Sequence, residues 1–209
     1  MMRDVSFWEE RVLPILIEKA CRSHEILEDR RRVVPRAQGD VLEVGVGSGL
    51  NLAFYDPARV TRVTGVDPSA ALLARARPRA AAARVPVELV RGQGEALPFD
   101  AARFDAAVIT YTLCSVDDPA AVVAELRRVL RPGAALYFVE HGRAPDAGPR
   151  RWQARINPLW RRVSGGCTLD RDVTEPLRAE GFAAEELAAG YDPGPRWLSY
   201  TYRGVARAT

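Results

Sequence analysis

Cysteine and histidine are scarce in this chain, lysine is nearly absent, and no long hydrophobic run occurs. Each shortage closes off a class of function. The three cysteines, Cys21, Cys114 and Cys167, are scattered and form no CxxC pair, which argues against a disulfide framework and against a structural zinc site. With only His24 and His141 as imidazole ligands, no metal is expected. No run is apolar and long enough to cross a bilayer, and Asp4, Glu9, Glu10 and Arg11 interrupt the N-terminal apolar residues. The cytoplasm is therefore the expected compartment. Lys19 is the single lysine, and a net charge of +3 without aromatics along a basic run is too mild for a nucleic-acid surface. The Arg30-Arg31-Arg32 cluster reads as a solvated face.

What remains is enough chain for one domain, 209 residues of which 47% are apolar. It is organised around residues 41–51, where an apolar run breaks into the alternating glycines Gly45, Gly47 and Gly49. This reads as a buried strand and a tight turn in which glycine lets the backbone approach a ligand, with a helix over residues 49–55 following at once. Strands are then expected over 62–66, 85–90, 104–110 and 134–139, with helices over 70–83 and 117–130 between them. Ser69 suits an N-cap, and Pro132-Gly133 suits a stop. A final pair of strands over 182–188 and 197–205 should close the sheet antiparallel. The fold class is α/β, a doubly wound, seven-stranded, mostly parallel Rossmann-like sheet. Residues 1–209 form one domain: an N-terminal helical lid over 1–35, broken or kinked at Pro14, a cofactor-binding half over 40–141, and an acceptor-side flap with the final strands over 142–209.

Spacing narrows the cofactor. The loop is GxGxG, with Leu50 where a dinucleotide fingerprint wants its third glycine, and this disfavours NAD. Asp67, about twenty residues beyond the loop, suits a pair of ribose hydroxyls. Glu43 beside the turn would be unfavourable near a pyrophosphate and favourable, directly or through water, near a positively charged amino-acid moiety. These residues carry a family resemblance. Glu43-Val44-Gly45-Val46-Gly47-Ser48-Gly49 resembles the first motif of class I S-adenosylmethionine-dependent methyltransferases. Val66-Asp67-Pro68-Ser69 resembles their ribose-binding acidic loop, and residues 92–99 resemble the segment that flanks adenine, with Gln93 where Asp is common and Gly94 where Ala is usual. The resemblance implies S-adenosyl-L-methionine as cofactor, held by Glu43, Gly45, Gly47, Gly49, Asn51, Asp67, Pro68, Ser69, Gln93, Gly94, Glu95, Thr110 and Leu113.

Residues 110–116, 127–134, 137–141 and 152–169 are similar to the methyltransferase-like proteins of vertebrates that methylate small alkyl thiols, and to bacterial relatives. The hydrophobic N-terminal anchor of those vertebrate proteins has no counterpart in this sequence, so the resemblance implies a comparable core without that attachment. It also implies a small-molecule thiol as acceptor. Thr110-Tyr111-Thr112-Leu113 stands where enzymes that methylate base amino groups carry Asn or Asp before two prolines, which argues against nucleic acid. In-line transfer from a sulfonium needs only alignment and exclusion of water. His141, at the end of the fifth strand, is the candidate base, balanced against a structural role. Cys114 and Cys167 read as small buried apolar residues rather than nucleophiles. Trp8, Tyr111 and Trp152 are expected at the acceptor rim, with the stripe from Trp152 to Val163 turned inward as a helical flap and its arginines outward. Read instead as a basic amphipathic segment on a membrane surface, that stripe would fit a phospholipid N-methyltransferase, although Pro158 interrupts it. An NAD-dependent oxidoreductase and a non-catalytic cofactor-binding protein are the readings from other classes.

Overall fold

A computed structural model describes residues 12–208, so Trp8 and its expected place at the rim lie outside the described residues. The chain opens with α1 (Leu13–Ala20) and α2 (His24–Val33), then runs β1 (Gly39–Val44), β2 (Val60–Asp67), α3 (Ala70–Ala81), β3 (Val87–Arg91) and β4 (Phe104–Thr110). It continues through α4 (Pro119–Val129), β5 (Leu130–His141), α5 (Ala147–Val163), α6 (Thr174–Ala179), β6 (Phe182–Tyr191) and β7 (Tyr200–Ala208). The seven strands lie in the order β3-β2-β1-β4-β5-β7-β6, with β7 antiparallel to both of its neighbours. The sheet is the doubly wound, mostly parallel one that the sequence implies. Its strand order reverses between β1 and β4, so their carboxyl ends open a crevice there.

Alternation along the strands divides the core between the two faces. Leu42, Val44, Ala107, Ile109, Leu136 and Phe138 pack on one side, and Val41, Ala106, Val108, Ala135, Tyr137 and Val139 on the other. Both faces are apolar because helices cover both. α4 is set by Asp118, whose carboxylate caps Ala121 N at 3.0 Å, by Pro119 in the first turn, and by Arg127 and Arg128 at the negative end of the helix dipole.

Three local expectations change. Residues 49–55 do not form an α-helix but a single 3-10 turn, Leu50–Ala53, because Gly49 enters it left-handed (φ +79°) and Asn51 and Leu52 turn straight into the core. Pro14 lies in the first turn of α1, where a proline loses no helical hydrogen bond; the residues before Val12, on which the expected kink depends, lie outside the described residues, and α1 is separated from α2 at residues 21–23. Pro132-Gly133 lies within the exposed start of β5 and does not stop α4, which ends at Val129. α5 runs through Pro158 unbroken.

Gly204 on β7 pairs with Phe138 and Leu187, and a Cβ there would strike the Glu186 carbonyl and come within 3.0 Å of the Phe138 ring. Gly204→Ala should therefore cost about 1–3 kcal/mol through overpacking against backbone that cannot yield. Thermal unfolding checks this, and an unchanged midpoint would contradict the packing of β6 on β7.

Candidate active site

The glycine loop leaves β1 with Gly45 at φ +75° and Gly47 at φ +54°. Only glycine fits at Gly45, because a Cβ would drive into the Thr112 side chain. At Gly47 a Cβ would meet nothing closer than the Gly45 carbonyl at 3.9 Å, so the bare backbone borders open space. Asp67, at the end of β2, closes the loop from the side: one carboxylate oxygen accepts from Gly47 N at 2.9 Å and the other from Ser69 N at 2.8 Å. Ser69 in turn caps α3 through Leu72 N. Burial pushes the Asp67 carboxyl upward, while the two backbone N–H groups pull against it. Each of its oxygens retains a lone pair for a further donor. Across the crevice the 93–99 segment is clamped by α4, where Glu125 accepts from Leu97 N at 2.7 Å and Arg128 donates to the carbonyls of Leu97 and Phe99.

Gly45, Gly47, Asp67, Pro68, Ser69, Gln93, Gly94, Glu95, Thr110, Tyr111 and His141 all border one cavity of about 830 Å³. Leu13, Leu16 and Ile17 of α1 wall the same cavity. Glu18 fastens that helix to α3 through Arg75 at 2.9 Å and Arg79 at 2.5 Å.

Beneath the loop lies a polar network that the sequence conceals. Arg30, read as part of a solvated face, is 6% exposed and reaches from α2 to Asn51 Oδ1 at 2.7 Å and Thr110 Oγ1 at 2.6 Å. Only Arg31 and Arg32 of that cluster are exposed. The Asn51 amide donates onward to Glu43 at 2.9 Å and to Thr110 at 3.0 Å, and Tyr55 donates to Glu43 at 2.7 Å. Glu43 is therefore committed to Tyr55 and Asn51 and, like Gly49, Asn51 and Leu113, is not among the cavity-lining residues. Arg30 does line the cavity, its Nε has no hydrogen-bond partner, and it forms no ion pair among the described residues. A buried cation so placed favours an anion in the cavity.

At the other end, β4 is followed directly by Tyr111, whose φ of +57° is strained for a side chain of its size. Glu140, fully buried at the end of β5, enforces that turn by accepting from Thr112 N at 2.8 Å and Cys114 N at 3.1 Å. Tyr111 donates to Asp29 at 3.1 Å, and its ring meets His141 with centroids 4.7 Å apart. The sulfurs of Cys114 and Cys167 lie 3.6 Å apart, and with a His141 ring nitrogen they form a group whose atoms all lie within 4.8 Å of one another. Cys114 is held protonated and Cys167 well below an ordinary thiol, first through the hydrogen bond between them and then, for Cys167, through His141. The scattered cysteines of the sequence are thus neighbours in space. Chain separation of more than fifty residues hid them, and only a contact between β4, β5 and the turn after α5 brings them together.

Trp152 is corrected. It is 55% exposed and not among the cavity-lining residues; Trp160, two turns further along α5, lines it instead. The expected burial pattern of this helix holds only in part: Trp160 and Val163 line the cavity and Ile156 is half-buried, but Leu159 is exposed with Trp152, and the fully buried positions are the polar Gln153 and Asn157. Both are satisfied from outside the helix, Gln153 by Gly142 O and Ala144 N, Asn157 by Asp170 and Leu169 N. Both residues lie in the two turns before Pro158, whose missing N–H leaves the backbone ladder one donor short.

This strand order, with a glycine loop and an acidic residue at the ends of β1 and β2, is the architecture of class I methyltransferases. A methyltransferase-domain family profile matches residues 42–138. The mouse thiol S-methyltransferase TMT1B is 32% identical over 192 residues, covering 85% of this chain and 77% of the mouse protein. The human TMT1B is 32% identical over 163 residues, and the chain spans 65% of its length while 76% of this chain is covered. A phosphatidylethanolamine N-methyltransferase of Cereibacter sphaeroides is 41% identical over 113 residues, 53% of this chain and 54% of that one. A structure of geranyl diphosphate methyltransferase with geranyl diphosphate and sinefungin superposes with a TM-score of 0.69 at 18% identity, over 88% of this chain and 76% of that one. The chain belongs to the class I S-adenosylmethionine-dependent methyltransferase family, alongside these thiol S-methyltransferases. Its cofactor is S-adenosyl-L-methionine, and the open cradle at Gly47, the spare acceptors of Asp67 and the unpartnered Nε of Arg30 fit that cofactor.

Burial raises Glu43 from 4.5 to about 7 despite the hydrogen bond from Tyr55. A carboxyl whose folded pKa is raised contributes stability at low pH that is lost as pH climbs from the unfolded value through about 7. Glu43→Gln can still accept from Asn51 and, with the Tyr55 hydroxyl turned to accept, donate to Tyr55, so its stability relative to the parent should rise between pH 5 and pH 8. Denaturant unfolding across that range tests this, and a gap that does not change with pH would contradict it.

Proposed function

We propose that the chain transfers the methyl group of S-adenosyl-L-methionine to a small-molecule thiol. The observation that carries this reading is that one cavity runs from the Gly47 and Asp67 loops to a pocket built from Tyr111, Cys114, His141, Trp160 and Cys167. When bound, the cofactor supplies a methyl group already activated by a sulfonium, so the protein has to align and shield the acceptor, not cleave a strong bond.

Asp67 takes the ribose hydroxyls, with Pro68 and Ser69 shaping the loop. The backbone at Gly45 and Gly47 passes close beneath, and Gln93, Gly94 and Glu95 flank the adenine. Arg30 and Thr110 meet the carboxylate of the amino-acid end, and Glu43, Asn51, Gly49 and Leu113 hold these groups from behind. α1 forms the lid, fastened by Glu18. At the far end, Tyr111 and Trp160 supply apolar walls that suit an alkyl thiol, and His141 activates its sulfur. The cytoplasm, where thiols stay reduced, fits three free cysteines. No described helix is long and apolar enough to cross a membrane.

A second reading, methylation of a phospholipid amine, draws on the Cereibacter relative and on the exposed Trp152, Leu159 and Val163 set among the arginines of α5. Labelled-methyl transfer to a panel of alkyl thiols, phenols, amines and phosphatidylethanolamine vesicles separates the two. We expect label on thiols; label on the lipid alone would overturn the thiol reading. His141→Ala should lower kcat/KM for the thiol by about 100-fold or more and change the pH profile, whereas unaltered turnover across pH would leave His141 a structural role only.

A further inference from the structure

Cys114, His141 and Cys167 have so far appeared as walls of the acceptor pocket and as a histidine activator. Their geometry asks for more. The ligand-capable atoms of all three lie within 4.8 Å of one another, and the two sulfurs are 3.6 Å apart. A tetrahedral zinc ion with bonds of about 2.3 Å to sulfur and about 2.0 Å to nitrogen spans about 3.8 Å between two sulfurs and about 3.5 Å between sulfur and nitrogen. The sulfur separation already matches one edge of that tetrahedron. Two thiolates and an imidazole are a donor set suited to zinc, and three protein ligands leave its fourth position open.

That open position faces the right way. All three residues line the cavity, while Cys114 and Cys167 are themselves buried, so an ion between them could be reached only from the cavity side. Surrounding groups suit a charged sulfur. The Trp160 indole N–H is buried without a hydrogen-bond partner, and Trp160 lines the same cavity as Cys167. Glu140 fixes the Cys114 backbone from beneath, and Tyr111 packs on the His141 ring. Outer-shell support of this kind orients ligands around zinc.

We propose that Cys114, His141 and Cys167 form a zinc site at the acceptor end of the cavity, whose fourth ligand is the sulfur of the acceptor thiol. This rests on the thiol reading given above and deepens it. On binding, the acceptor S–H gives its proton to solvent and its sulfur bonds to zinc as a thiolate, a form that a metal stabilises at neutral pH. The thiolate electron pair then forms the new S–CH3 bond while the C–S bond of the sulfonium breaks, its pair remaining on the departing sulfur as a neutral thioether. The methylated acceptor, also a neutral thioether, is a poorer ligand than the thiolate and leaves. His141 thus acts as a ligand, and no free base is required.

The test begins with metal content. Full-length protein purified without chelator should carry about one zinc per chain, and Cys114→Ser, Cys167→Ser and His141→Ala should each reduce it at least about tenfold, while Cys21→Ser retains it. Cobalt substitution should give thiolate-to-metal charge transfer and tetrahedral visible bands, and adding ethanethiol in the presence of S-adenosylhomocysteine should shift those bands. Zinc absent or equally lost in Cys21→Ser, a Cys114–Cys167 disulfide in its place, or thiol methylation undiminished after chelation overturns the zinc site and leaves the thiol reading standing. A full zinc complement with no response to ethanethiol and no thiol methylation overturns the acceptor reading, and the fourth ligand with it.

Discussion

The contact on which the rest depends is that of Arg30 with Asn51 and Thr110 beneath the glycine loop. Arg30 comes from α2, Asn51 from the turn after β1 and Thr110 from the end of β4, so one guanidinium ties together an N-terminal helix, the glycine loop and the central strand. Burying a cation in this way is costly unless it is hydrogen-bonded and matched by negative charge. Asn51 meets part of that cost by linking Arg30 to the buried Glu43, and a cofactor carboxylate would complete it. The helices before β1 therefore belong to the site and are not an ornament on it. Glu18, gripping Arg75 and Arg79, repeats the arrangement at the outer edge.

A second buried carboxylate works the other half of the cavity. Burial raises Glu140 to about 7 against the pull of its backbone donors, yet its oxygens stay fixed on the turn that follows β4. That turn carries the strained Tyr111 and aims Cys114 toward Cys167 and His141. Two carboxylates near the ends of β1 and β5 thus shape opposite parts of one cavity, each from outside it. Parallel strands that stop at the same edge of the sheet make such a division natural.

Much of this was legible in the sequence, for reasons that differ from element to element. The glycine loop, Asp67 and the Ser69 cap are short-range patterns whose spacing is their mechanism, and the strands announce themselves as apolar runs between turn residues. Arg30 was not legible, because in a run of three arginines nothing local says which one turns inward. The apolar stripe of α5 was legible only in part: Trp160 and Val163 do face the cavity, but Gln153 and Asn157 take the fully buried positions because the loops on either side of the helix satisfy them, and Trp152 is left exposed. The Cys114, His141 and Cys167 cluster is long-range altogether, assembled by strand order and by the turn after α5.

The central claim, that Arg30 anchors the amino-acid end of S-adenosylmethionine in this cavity, is tested most directly by calorimetry on the parent and Arg30→Gln with two ligands. S-adenosylhomocysteine carries the carboxylate and 5′-methylthioadenosine does not. The account predicts that the substitution weakens S-adenosylhomocysteine at least about tenfold, as loss of a charge-assisted hydrogen bond should, and leaves 5′-methylthioadenosine unchanged. Equal loss of both ligands, or binding of NAD in preference to either, would contradict it.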